Sequence, residues 1–99
     1  MKTDTETING YLYHTDPGHG WLQVPRTELV KLGIADSISH YSYQDGYNSD
    51  SVYLEHDLDA AIFVDAKTAI GEDIKTVHIE HVDRVAITEN LVPYRNKPP

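Results

Sequence analysis

The segment His14-Thr15-Asp16-Pro17-Gly18-His19-Gly20-Trp21 gathers two imidazoles, a carboxylate and the only tryptophan of this 99-residue chain around a Pro-Gly turn. Imidazole nitrogens and carboxylate oxygens are ligands for divalent transition metals, and the same groups pass protons near neutral pH. His14, Asp16 and His19 bracket one turn and can converge on a cation, with another carboxylate completing the shell and Trp21 as a wall. Their spacing matches none of the usual zinc patterns. A general acid–base pair of His19 with Glu55 or Asp57 is the catalytic form of the same idea. His78 and His81 are a weaker pair, because residues three apart on a strand point to opposite faces. Two histidines that merely flank a hairpin turn explain the same residues without chemistry.

The chain has no cysteine, hence no disulfide framework, thiolate zinc site or cysteine nucleophile. No serine lies in a G-x-S-x-G elbow, and Gly18-His19-Gly20 lacks the rest of a phosphate-cradling glycine loop. These readings favour a protein that binds over one that catalyses, and imply no cofactor.

A second constellation suits binding. Asp45, Asp50, Glu55, Asp57 and Asp59 are interleaved with Tyr41, Tyr43, Tyr47 and Tyr53. Tyrosine is favoured at interfaces because an apolar ring ends in a hydrogen-bonding hydroxyl. Carboxylates beside it match Lys and Arg on a partner. The formal net charge of −8, from sixteen acids against eight bases, argues against direct contact with nucleic acid and for a basic protein surface. Protonating all six histidines would cut that charge to −2. A solvated acidic face with tyrosines covering a sheet is the plainer alternative.

These groups need elements to hold them. Gly10–His14 and Trp21–Val24 read as two strands joined through a turn with Pro17 and Gly18 at its centre. Pro25 opens a short helix carrying Leu29, Val30 and Leu32, with Gly33 ending it and Ile34 folding back onto Leu29. His40–Tyr43 and Ser51–Glu55 read as a second hairpin, with Val52 and Leu54 on one face and Ser51, Tyr53 and Glu55 on the other. Asp57 is placed to cap a second helix with Leu58, Ile62, Ala66 and Ile70 as its core stripe and Gly71 as its stop. Residues 74–82 read as a strand with Val77 and Ile79 inward and His78 and Glu80 outward, and Asp83 as the cap of a last short helix through Leu91. The result is a single α+β domain over 1–99, with 1–9 and 95–99 as frayed termini. Its sheet is mainly antiparallel, about five strands in ββ-α-ββ-α-β order, with two or three helices packed on one face. The polar N-terminus is unlike a signal peptide, and no apolar run is long enough to span a membrane, so a cytoplasmic location is expected.

The Pro17-Gly18-His19-Gly20-Trp21-Leu22 element, with His14-Thr15-Asp16 before it and Val24-Pro25 after it, then Tyr41-Ser42-Tyr43, then Val52-Tyr53-Leu54-Glu55 with Asp57 and Asp59, resembles a group of small proteins of uncharacterised activity encoded by bacteriophages and mobile elements. The likeness covers residues 11–66. It implies a genomic setting: an acidic inhibitor of a host defence complex, anti-CRISPR-like, acting in the host cytoplasm. Such a protein would dock on a basic surface of a host complex, including one that handles nucleic acid. Tyr41, Tyr43, Tyr47 and Tyr53 would be its anchors, and Asp45, Asp50, Glu55, Asp57 and Asp59 its charges. A structural homodimer built on the histidine-rich turn is the remaining alternative.

Overall fold

The first hairpin is tighter than its sequence suggests. In a computed structural model, which describes residues 10–16, 18–45, 50–81 and 91–95, β1 (Gly10–Asp16) pairs with β2 (His19–Pro25) as far as Asp16 opposite His19. The strands therefore run up to a two-residue connection, and Gly18 supplies the positive φ of 99° that such a turn needs. His14, Asp16, His19 and Trp21 are strand residues with fixed directions, not members of a loop.

Four more strands extend this hairpin into one mixed sheet. β2 pairs antiparallel with β4 (Ser51–Glu55), β4 with β3 (Tyr43–Asp45), and β3 with β6 (Leu91–Pro93). On the other side β1 pairs in parallel with β5 (Lys75–Glu80), giving the order β5-β1-β2-β4-β3-β6. Among the described residues the sheet is mainly antiparallel, as expected, with β1–β5 as its parallel pairing. It holds six strands rather than about five, because Leu91 belongs to β6, and the parallel pairing arises because the chain from β4 through the second helix crosses to the far edge and enters β5 alongside β1. The first strand of the second hairpin also lies later than expected, at Tyr43–Asp45 rather than His40–Tyr43, because the buried Gln44 bonds Arg26 and the Arg95 N–H from the core side. The helix expected from Asp83 through Leu91 lies outside the described residues except for Leu91, which is in β6, and Tyr47 and Pro17 also lie outside them.

Alternation along the strands sets the faces. Tyr11, Leu22, Val24, Val52 and Leu54 point to one side, where they pack with Leu29 of α1 (Arg26–Lys31) and Phe63 of α2 (Asp59–Ala69). Tyr11 meets the Phe63 ring edge-on at 5.3 Å. α1 ends as its sequence requires. Gly33 at φ 74° bonds its N–H to Val30 O, and Ile34 bonds to Leu29 O, the paired bonds of a Schellman stop. Gly71 repeats the device after α2, with its own N–H on Thr68 O and that of Glu72 on Lys67 O.

The stripe assigned to α2 is rotated. Leu58 and Ile70 are 48% and 58% exposed, while Asp59, Ala60 and Phe63 are buried. The larger Phe63 and the hydrogen-bonded Asp59 claim the inward side, and Ile62 packs at its margin. Asp57 is not the cap either. Leu58 occupies that position, and the Glu55 side chain accepts its N–H at 2.9 Å. In β5 the expected directions reverse. Val77 lies opposite Leu12, on the face away from the core, and is 56% exposed, whereas His78 points to the helix side and bonds Thr15. No helix among the described residues is long and apolar enough to cross a membrane.

Candidate functional site

On the face opposite the core, the strand pairings bring together residues distant in sequence. Asp16 stands opposite His19, Trp21 opposite Glu55, and Tyr43 opposite Pro93. These six line a cleft of about 620 Å³ at the turn end of the sheet. The segment leading into β3 adds His40 and Tyr41, whose rings stack at 4.6 Å. The cleft thus joins part of each constellation read from the sequence: Asp16, His19 and Trp21 from the first hairpin, and Tyr41, Tyr43 and Glu55 from the second.

Its walls are aromatic and its charges negative. Tyr43 meets Trp21 at 5.3 Å with the planes 89° apart, while His19 lies nearly parallel to Trp21 at 6.1 Å. His19 Nδ1–H donates to Asp16 Oδ1 at 3.0 Å, the His19 side chain being 62% exposed and that of Asp16 only 5%. Among the described residues the lining holds the carboxylates of Asp16 and Glu55 and neither lysine nor arginine. Two polar atoms of its lining residues, Asp16 Oδ2 and Trp21 Nε1, are buried without a hydrogen-bond partner among the described residues. Orphaned buried groups are rare in folded chains because each forfeits its bonds to water.

Around the hairpin end a smaller depression of about 270 Å³ shares His19, Trp21 and Glu55 and adds Tyr13, His56 and Asp57. Tyr13 Oη and His56 Nδ1 share a 2.7 Å hydrogen bond. Burial pushes the Tyr13 phenol up from its ordinary pKa, with the Asp57 charge adding to it. Gly20 lies under this contact, and a Cβ there would land on Tyr13 Oη.

The remaining candidates are dispersed. His14 turns away from Asp16 and His19. Its Nδ1 meets His81 Nε2 at 2.9 Å, its Nε2 meets Gln23 Oε1 at 2.8 Å, and its ring packs near Tyr53. The three proposed metal ligands therefore do not form one shell, and among the described residues no three His, Asp or Glu side chains are grouped to hold a metal ion. Tyr53 and Asp45 share the cleft's face further along β4 and β3. The Tyr53 phenol is raised by burial first and the Asp45 charge second. Asp50 is at the far end of β4, where its carbonyl accepts the Arg26 N–H. Asp57 is exposed beside His56. Asp59 is fully buried, so it is not available to a partner. Its Oδ2 accepts Ser39 N–H at 3.0 Å, Ser39 Oγ–H at 2.7 Å and Ser42 Oγ–H.

Sequence reading missed His40 and Pro93 in the cleft and His81 beside His14. No local spacing announces Pro93, which arrives only through the β3–β6 pairing, or His81, which arrives through the parallel β1–β5 pairing. His40 was legible in principle as the aromatic neighbour of Tyr41. No protein-family model, curated protein or solved structure matches this chain.

Proposed function

We propose that this chain is a non-enzymatic binding protein that docks on a basic surface of a larger protein through the cleft at the turn end of its sheet. One observation carries the reading: the cleft combines Trp21, Tyr41 and Tyr43 with the carboxylates of Asp16 and Glu55, and among the described residues neither lysine nor arginine lines it. Aromatic anchors with complementary charge are the usual energetic centre of a protein interface. Asp57, Asp45 and Tyr53 flank the cleft and extend the footprint, while the chain-wide charge of −8 steers a basic partner toward it. The resemblance to phage-borne and mobile-element proteins supplies a setting, inhibition of a host defence complex in the cytoplasm, where blocking a basic surface is a direct way to disable a nucleic-acid-handling machine.

Affinity purification from the native host with the intact chain, Tyr43→Ala and Glu55→Lys side by side tests this. The expected result is one basic partner that the intact chain retains and both variants lose. The same set of captured proteins on all three baits would overturn the proposal. Light scattering of the purified chain separates it from the homodimer alternative, which requires a stable two-copy mass without any partner.

A further inference from the structure

We propose that the cleft is an arginine subsite: it takes the guanidinium of one arginine residue presented by the basic partner, and the carbonyl of that same peptide segment reaches Trp21 Nε1. The inference rests on the docking reading above and narrows it to one side-chain chemistry.

Three features of the cleft have to be answered by one ligand. Asp16 is a carboxylate with a 5% exposed side chain, held on Oδ1 by His19 and with no donor to Oδ2 among the described residues. Glu55 lines the same cleft from the neighbouring strand. Trp21 has a buried N–H with no acceptor among the described residues, and its ring stands perpendicular to that of Tyr43. An anion is repelled by two carboxylates. A free metal ion leaves the indole N–H unanswered, because it brings no acceptor. A lysine brings a compact, strongly hydrated charge that must be stripped of water to reach Asp16. A guanidinium is flat, weakly hydrated and carries five donors in a fixed fork, so it can stack on an aromatic wall while donating to two carboxylates. Having no acceptor itself, it leaves the indole N–H to a peptide carbonyl, which an arginine within a chain supplies and a free guanidinium does not. His19 is the group that gives way. Its side chain is 62% exposed, and a hydrogen bond to Asp16 and its stacking on Trp21 hold it there.

The single tryptophan makes the test direct, since its indole N–H gives one resonance and its fluorescence one signal. The full-length chain is titrated with three short blocked peptides of Gly and Ser, identical except for one central arginine, lysine or citrulline. The arginine peptide should move the indole resonance and bind at least about tenfold more tightly than the citrulline peptide, and several-fold more tightly than the lysine peptide. Glu55→Gln and Asp16→Asn should each abolish that preference, while an amide spectrum like that of the parent shows the fold intact; if Asp16→Asn unfolds, Glu55→Gln alone decides. Equal binding of lysine and arginine would sink the arginine subsite and leave the basic-partner reading standing. Equal binding of citrulline and arginine, or an indole resonance that no peptide moves, would sink both.

Discussion

At the scale of single residues, Asp57 and Asp59 have the same side chain two positions apart and opposite roles. Asp57 is exposed at the start of the turn into α2, whereas the buried Asp59 ties the segment before β3 to that helix through Ser39 and Ser42. Ser42 Oγ also accepts the Glu55 N–H at 2.9 Å, so the knot reaches β4 as well. Removing the carboxylate strands three donors at once, the buried Ser42 hydroxyl and the half-buried Ser39 N–H and hydroxyl. Asp59→Ala should therefore lower unfolding free energy by about 3 kcal/mol in a denaturant titration, while Asp57→Lys should change it by less than about 0.5 kcal/mol. A binding defect in Asp57→Lys then reports on the partner, and one in Asp59→Lys reports on folding. Gly20→Ala is a second residue-scale test. Its new methyl displaces the Tyr13 hydroxyl, so the Tyr13–His56 hydrogen bond should disappear from the imidazole resonances of His56, with a loss of about 1 kcal/mol or more in stability.

At the scale of elements, α1 and α2 are joined by Lys67, whose ammonium meets Glu72 at 2.7 Å and Glu28 at 3.0 Å beside the Tyr11 and Phe63 rings. The hydrogen bond to Glu72 raises the Lys67 pKa above its ordinary value, burial opposes it, and Glu28 and Tyr11 add to the rise. A raised lysine pKa means stabilisation that is complete below lysine's ordinary 10.5 and fades only as pH climbs through the higher folded-state value. Lys67→Met should cost about 1–2 kcal/mol, unchanged from about pH 7 to about pH 10 and shrinking above that, as read from denaturation midpoints. The β5 strand is the contrasting case. Most of its residues are exposed; His78 ties it to Thr15 of β1, and His81, just past its end, bonds His14. His81→Ala should speed amide exchange in β5 by about tenfold while the β2–β4 amides keep their rates, because an edge strand opens without disturbing the centre. Equal acceleration in both would show that β5 does not open separately.

At the scale of the whole molecule, sixteen acids against eight bases leave a surplus that repels itself and attracts bases. Raising salt from about 50 mM to about 500 mM should slow association with a basic partner by tenfold or more while leaving dissociation nearly unchanged, in stopped-flow or surface measurements. An association rate indifferent to salt would assign recognition to the aromatic walls alone. The cleft is placed where both contributions act, at one end of the sheet, with two carboxylates among its rings.

Much of the local structure was legible in the chain itself. The first hairpin, the β4 strand with its core side, and the Gly33 and Gly71 helix stops follow from alternation and from the φ that only glycine adopts freely, and both are properties of a few consecutive residues; the partner of β4 was displaced, running over Tyr43–Asp45 rather than His40–Tyr43. The orientation of α2 was not legible, because its apolar residues ring the helix and only the competition between Phe63 and Leu58 for the core side decides. Neither was the cleft. Asp16, Trp21, Tyr43, Glu55 and Pro93 meet through pairings between strands far apart in sequence, and the register of those pairings is set by burying Leu22, Val24, Val52 and Leu54 together. Residue types determined which chemistry the chain carries; cooperative burial determined which of those groups meet.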